Sequence, residues 1–161
     1  MKAVMVGIAR MGSTRLPGKV MMPLAGIPVI KWVVSSGRIA LGDNGVIIAT
    51  TTDPRDDEIV KWCKANNVAF YRGSENDVLE RFTLAAQLAG VDIAVRVTCD
   101  CPFVDPNVIQ QVVRLLIATG ADYAGNVDPR PIQTALIARQ LRSRRSKGRC
   151  RRPLGRPIGS A

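Results

Sequence analysis

Ala3-Val4-Met5-Val6-Gly7-Ile8, running straight into Ala9-Arg10-Met11-Gly12-Ser13-Thr14-Arg15-Leu16-Pro17-Gly18-Lys19, is the stretch whose reading decides the fold. Its first six residues are an unbroken apolar run of buried-strand length. The loop behind them carries three cations, two glycines and two hydroxyls, and no acid. Three later runs repeat the apolar pattern: Gly45-Val46-Ile47-Ile48-Ala49-Thr50-Thr51, Val68-Ala69-Phe70-Tyr71 and Val91-Asp92-Ile93-Ala94-Val95-Arg96-Val97-Thr98. Strands that are apolar nearly throughout belong to a sheet covered on both faces, which means parallel pairing.

Helical patterns fill the gaps. Val29, Ile30, Val33 and Val34 form one stripe within 28–40, behind Pro28. Asp53-Pro54 reads as a cap followed by a first-turn proline. Asp56, Asp57 and Glu58 then complement the helix dipole, and Ile59, Trp62 and Cys63 face the core. Ser74-Glu75-Asn76-Asp77 resembles a capping box ahead of Val78, Phe82, Ala85 and Ala89, with Gly90 as the stop. Asp105-Pro106 opens a last helix carrying Val108, Val112, Leu115 and Leu116, which ends near Gly120 before a short strand at 121–124. The order βαβαβαβα predicts an open α/β sheet, mostly parallel, with helices on both faces. Ligands of such sheets sit beyond the C-terminal strand ends, where the strand order switches. The loops after residues 8, 51, 71 and 98 are therefore the ones to read for chemistry.

Glycines in the first loop let backbone amides approach an anion, while Arg10, Arg15 and Lys19 supply charge-assisted hydrogen bonds. That combination reads as a triphosphate cradle, against the plainer reading of a soluble connecting loop. It is not a Walker A loop: five residues separate Gly12 from Gly18, and Val20 stands where Ser or Thr would hold magnesium. The loop after the fourth strand is Thr98-Cys99-Asp100-Cys101-Pro102-Phe103-Val104-Asp105. Asp105 has a helix to cap, and Asp100 has none. A carboxylate at a strand's C-terminal edge opposite a cationic loop suits Mg²⁺, which takes one or two protein carboxylates and completes its shell with water and phosphate oxygens. The alternative is a turn residue bonding its own backbone. Arg72-Gly73-Ser74 opens a helix and could contact a base or phosphate, or simply cap. Taken singly, Arg81 reads as a cation on a solvated helix face and Arg96 as a partner within the sheet.

The first loop closely resembles the signature loop of the CMP-sugar synthetases, in particular the spore coat polysaccharide branch of the cytidylyltransferases, related to the CMP-Kdo and CMP-acylneuraminate synthetases. Ala49-Thr50-Thr51-Thr52-Asp53, Arg72 to Arg81 and Arg96 to Pro106 agree in order and spacing. The likeness runs from about residue 3 to about 127; Ile8 stands where relatives have Gln, and Cys99 where they have Gly. The resemblance implies a Rossmann-like nucleotidyltransferase sheet that transfers CMP from CTP to a sugar or sugar acid in surface polysaccharide biosynthesis, releasing pyrophosphate, with Mg²⁺ as cofactor. Arg10, Lys19 and Asp100 would be catalytic and Asp100 the metal ligand. Ala9, Arg10, Gly12, Ser13, Arg15, Lys19, Arg72, Gly73, Ser74 and Arg81 would bind the nucleotide, the last four bordering the cytidine pocket. Full-length relatives would be homodimers. The alternative is a non-catalytic nucleotide-binding remnant or a basic-tailed nucleic-acid-binding protein.

Composition fits this reading once it is divided along the chain. The 161 residues carry 23 Lys and Arg against 13 Asp and Glu, a formal charge of +10. Residues 1–128 hold 13 of each sign, whereas 129–161 hold ten bases and no acid. The expected organisation is a nucleotide-binding domain at 1–128 and a basic tail at 129–161. The tail could be a nucleic-acid or anionic-surface arm, a solubilising end or, the reading we prefer, a frameshift product that replaces a family segment bearing a second magnesium aspartate. It has no aromatic residue for base stacking, which argues against nucleic acid. There is no histidine, so a histidine triad is excluded, and four cysteines without a CxxC pair argue against zinc. Cys63 and Cys99 read as small buried hydrophobes in a reducing compartment. No apolar run reaches the ~18 residues of a membrane span and Arg10 interrupts any secretory h-region, so the expected location is cytoplasmic, with no membrane partner.

Overall fold

The computed structural model describes residues 1–126 and the backbone of 137–140. From the N-terminus the chain forms β1 (Ala3–Ile8), a small hairpin of β2 (Pro23–Leu24) and β3 (Ile27–Pro28), α1 (Val29–Leu41) and β4 (Val46–Thr51). A 3-10 turn at Pro54–Asp56 leads into α2 (Asp57–Ala65), then β5 (Ala69–Gly73), α3 (Val78–Leu88), β6 (Ile93–Thr98), α4 (Pro106–Thr119), β7 (Tyr123–Gly125) and β8 (Ile137–Gln140). The hairpin has no counterpart in the sequence reading. Its two-residue turn places Ala25 (φ 51°) and Gly26 (φ 77°) in the left-handed region, as the primed hairpin turns require.

The main sheet has the order β5-β4-β1-β6-β8-β7. β1 is central and parallel to both neighbours, with Met5 opposite Val46 on one side and Val95 on the other. β8 runs antiparallel between β6 and β7, so the sheet takes a strand from the stretch read as basic tail. The rest of that tail, with Cys150 and the expected frameshift, lies outside the described residues.

Alternation of side chains sends alternate strand residues into two cores. Met5, Ile48 and Val95 pack under α1, α2 and α4 through Ile30, Val33, Cys63, Ile109 and Leu116. Val4, Val6, Ile47 and Ala94 pack under α3 through Phe82, Ala85 and Ala86. Helices therefore cover both faces, as the apolar strands imply. α1 comes close to the sheet at Gly37, where a Cβ would lie 2.5 Å from Met5 Cε and 2.7 Å from Val46 Cγ2.

Two of the expected helix starts form as read: Asp53 accepts from the Arg55 amide at 2.8 Å and Asp105 from the Asn107 amide at 2.8 Å. The third is displaced by three residues. Ser74 Oγ accepts from the amides of Asn76 and Asp77 in a turn of its own, and Asp77 caps α3 by accepting from the Glu80 amide at 2.8 Å. Glu75 and Asn76 consequently sit in a loop at the strand ends, outside the first helical turn.

Candidate functional site

Strand order decides which loops meet. The chain crosses from β1 to β4 and β5 on one side, whereas β6 adds on the other, so the order switches between β1 and β6. Their C-terminal loops, 9–22 and 99–105, flank a crevice there. The first loop winds around the Met11 carbonyl, which accepts from the amides of Ser13 at 2.8 Å and Gly18 at 2.9 Å. Gly18 has φ 70°, a conformation glycine adopts without strain.

Asp56 anchors this loop. One of its oxygens accepts from the Met11 amide at 2.7 Å. The other accepts from Thr50 Oγ1 and the Thr51 amide, each at 3.1 Å, and from Thr51 Oγ1. Asp56 is 1% exposed. A helix-dipole role for it is too weak a description: this carboxylate ties the end of β4 to the loop after β1. The available signal was the Thr50-Thr51 pair at a strand end, two hydroxyls in need of an acceptor.

Between the loops lies a cavity of about 560 Å³. Its wall contains five cations, Arg10, Arg15, Lys19, Arg81 and Arg96, and two acids, Glu75 and Asp100. Lys19 Nζ donates to Asp100 Oδ2, and Arg10 Nη1 donates to Glu75 Oε1 at 3.2 Å. Burial acts to raise the Asp100 pKa, but hydrogen bonds from Lys19 and Thr98 and the Lys19 charge outweigh it and hold the carboxyl below its usual range. Arg81 is 1% exposed. Its Nη1 donates to the Ser74 carbonyl, while Nε finds no hydrogen-bond partner. Burial first, and then the Arg10 charge, lower its pKa.

Of the residues singled out from sequence, Arg10, Ser13, Arg15, Lys19, Arg81 and Asp100 converge on this cavity. Ala9 lies beneath it, buried, its amide donating to the Ala49 carbonyl at 3.2 Å. Gly12 is on the other side of the loop, lining a second cavity of about 620 Å³ with Arg55 and Glu58. Arg72 does not line the first cavity. Each nitrogen of its guanidinium donates one hydrogen bond, to the Thr51 carbonyl (2.8 Å), the Asp53 carbonyl (2.9 Å) and Asp57 (2.6 Å), clamping the β4–α2 connection. Gly73 and Ser74 support Arg81: Ser74 accepts its hydrogen bond, and a Cβ at Gly73 would lie 3.3 Å from Arg81 Cγ and 2.9 Å from the Tyr71 ring. Arg81 is thus buried and aimed inward, where a solvated helix face was the plain reading, and Arg96 joins the cavity wall. Glu75, read only as part of a capping box, joins it too.

The donor set suits a hard cation carried by a polyphosphate. Asp100 Oδ1 is approached by the Cys101 thiol at 3.7 Å. Among the described residues no group of three His, Cys, Asp or Glu could cage a metal. One accessible carboxylate beside a group of cations suits Mg²⁺, which takes one or two protein carboxylates and completes its shell with phosphate oxygens and water. Cys63 and Cys99 are fully buried. Desolvation pushes the Cys63 thiol up to about 12 and raises Cys99 as well, so neither is a ligand or nucleophile. Among the described residues no helix is long and apolar enough to cross a membrane.

A family-wide sequence profile described as cytidylyltransferase matches residues 4–144. The spore coat polysaccharide biosynthesis protein SpsF of Bacillus subtilis is 34% identical over 119 residues, 71% of this chain and 50% of the relative. A 3-deoxy-manno-octulosonate cytidylyltransferase of Vibrio vulnificus is 34% identical over 119 residues, 72% of this chain and 46% of that enzyme. The solved structure of a cytidylyltransferase from Leptospira borgpetersenii superposes with a TM-score of 0.80 at 30% identity, covering 87% of this chain and 60% of that one. The chain thus spans about half the length of the curated relatives it matches.

Proposed function

The chain belongs to the cytidylyltransferase family, and from that premise we propose that it transfers CMP from CTP to a sugar or sugar acid, releasing pyrophosphate, in surface polysaccharide biosynthesis. One observation carries the proposal. The strand-order switch brings Lys19 against Asp100, 81 residues apart in sequence, in a cavity with three more cations than acids. That is the arrangement a metal-bound triphosphate needs.

In this reading the acceptor hydroxyl oxygen attacks the α-phosphorus. The bond from that phosphorus to the bridging oxygen breaks, pyrophosphate leaves with the electron pair, and the hydroxyl proton passes to solvent. Negative charge spreads over the phosphoryl oxygens and the leaving group, so positioning and charge neutralisation carry most of the catalysis, and a chain without histidine loses nothing by it. Arg10, Arg15 and Lys19 donate to the triphosphate, and Ser13 binds it beside them. Arg81 presents a buried guanidinium to the nucleotide. Asp100 would hold Mg²⁺, which when bound neutralises phosphate charge and aligns the triphosphate. The residues that would hold the nucleotide fall within 1–128, although the sheet carrying them extends to β8, and the cytoplasm, where CTP and Mg²⁺ are supplied, is the chain's compartment.

The test is pyrophosphate release from CTP and Mg²⁺ with a panel of sugar acids, using the parent chain, Lys19→Ala and Asp100→Asn. Release that depends on the acceptor and falls by on the order of 10- to 100-fold in each variant is the expected result, the scale of one lost charge-assisted hydrogen bond. Tight CTP binding without release on any acceptor would replace the enzyme with a nucleotide-binding protein.

A further inference from the structure

Glu75 has no part in the reaction as described, yet it lines the same cationic cavity. Its carboxylate accepts from Arg10 at 3.2 Å. Arg55, on the far side of Gly12, is already answered by Asp53, to which its Nη2 donates at 2.6 Å. Arg81 lies beside Arg10 with a buried and unpartnered Nε. The other acids facing Arg81 are Asp56 and Asp77. Asp56 is committed to Met11, Thr50 and Thr51, and Asp77 caps α3. Glu75 is therefore the acid available to answer the two guanidiniums of Arg10 and Arg81.

The accessibility of this pair distinguishes it from the structural ones. The Arg10 and Glu75 side chains are 48% and 38% exposed and meet through a single contact, whereas Arg72 is clamped by three acceptors. An ion pair of the first kind is weak, and a polyphosphate offering several oxygens can displace it. We propose that Glu75 is a built-in counter-ion: it holds the place of a phosphate beside Arg10 and Arg81 while the site is empty, and competes with bound pyrophosphate for Arg10. Glu75 is on this account a positioning residue, one that limits anion affinity so that the leaving group departs. The inference rests on the reading that this cavity receives the triphosphate.

The experiment titrates inorganic pyrophosphate, with Mg²⁺, into the full chain by calorimetry, and follows thermal melting with and without it. Glu75→Gln is expected to bind pyrophosphate about fivefold more tightly, the scale of one exposed ion pair removed from competition. The same variant melts at a lower temperature than the parent when empty, and saturating pyrophosphate abolishes the deficit. Glu75→Asp, which keeps the charge, binds pyrophosphate as the parent does. Equal or weaker binding by Glu75→Gln, or a melting deficit that persists at saturation, would make Glu75 a structural residue and overturn the proposal. A parent chain that binds neither pyrophosphate nor CTP would instead overturn the triphosphate reading, and this proposal with it.

Discussion

Replacing Asp56 by Ala is the perturbation whose size follows most directly from the structure. The carboxylate is 1% exposed and accepts four hydrogen bonds, two from backbone amides and two from threonine hydroxyls. The hydroxyls of Thr50 and Thr51 can rotate toward other acceptors. The amides of Met11 and Thr51 cannot. A buried donor left without an acceptor costs about 1–3 kcal/mol. Two of them, less the relief of no longer burying a charge, give a net loss of about 3 kcal/mol, roughly a 150-fold fall in the folded-to-unfolded ratio. Urea denaturation followed by circular dichroism measures this as a lower midpoint at unchanged slope. Asp56→Asn keeps one carbonyl oxygen and should fall between Ala and the parent. Because Met11 is the centre of the loop carrying Arg10, Arg15 and Lys19, CTP affinity should drop with stability. A stability loss below about 1 kcal/mol in Asp56→Ala would refute the assignment of this residue as the loop's anchor.

Two further outcomes are expected. Gly37→Ala should destabilise the protein by about 1–3 kcal/mol in the same urea assay, although alanine is the better helix former, because its Cβ would meet Val46 and Met5 inside contact distance; an unchanged or higher midpoint would show that the helix–sheet contact has slack. The Lys19–Asp100 pair should confer acid-sensitive stability. The Asp100 pKa is lowered on folding, so its contribution is present above the unfolded carboxylate value of about 3.9 and is lost as pH falls through the lower folded value. The gap in urea midpoint between parent and Lys19→Met should hold steady from pH 7 to about 5 and close below about 4; a gap independent of pH down to 3 would contradict the pairing.

The parallel core was legible because Ala3–Ile8, Val46–Thr51 and Ile93–Thr98 are apolar on both faces and proline and aspartate mark two helix starts. Placing the chemistry at the C-terminal strand ends sets Asp100 opposite the cationic loop; the strand order that brings it to Lys19 is seen only in the fold. What stayed hidden depends on contacts no local pattern encodes. β2 and β3 are two residues each, too short for a periodicity. β8 lies in a stretch whose charge reads as tail. Arg72 stands at the end of an apolar strand and Arg81 within a helix, each a single arginine. Only the fold shows that the first is clamped by carbonyls and that the second is buried, roofed by a glycine at position 73. Asp56 and Glu75 act on partners 45 and 65 residues earlier in the chain. In sequence each had a nearer explanation as a helix-start acid.

Calorimetric titration of CTP with Mg²⁺ into the parent chain, Lys19→Ala and Asp100→Asn tests most directly whether the crevice between β1 and β6 is a triphosphate site. One CTP per chain, held on the order of tenfold or more less tightly by Lys19→Ala and with the Mg²⁺ requirement lost in Asp100→Asn, is the result expected. No binding by the parent chain, or binding indifferent to both substitutions, would contradict it.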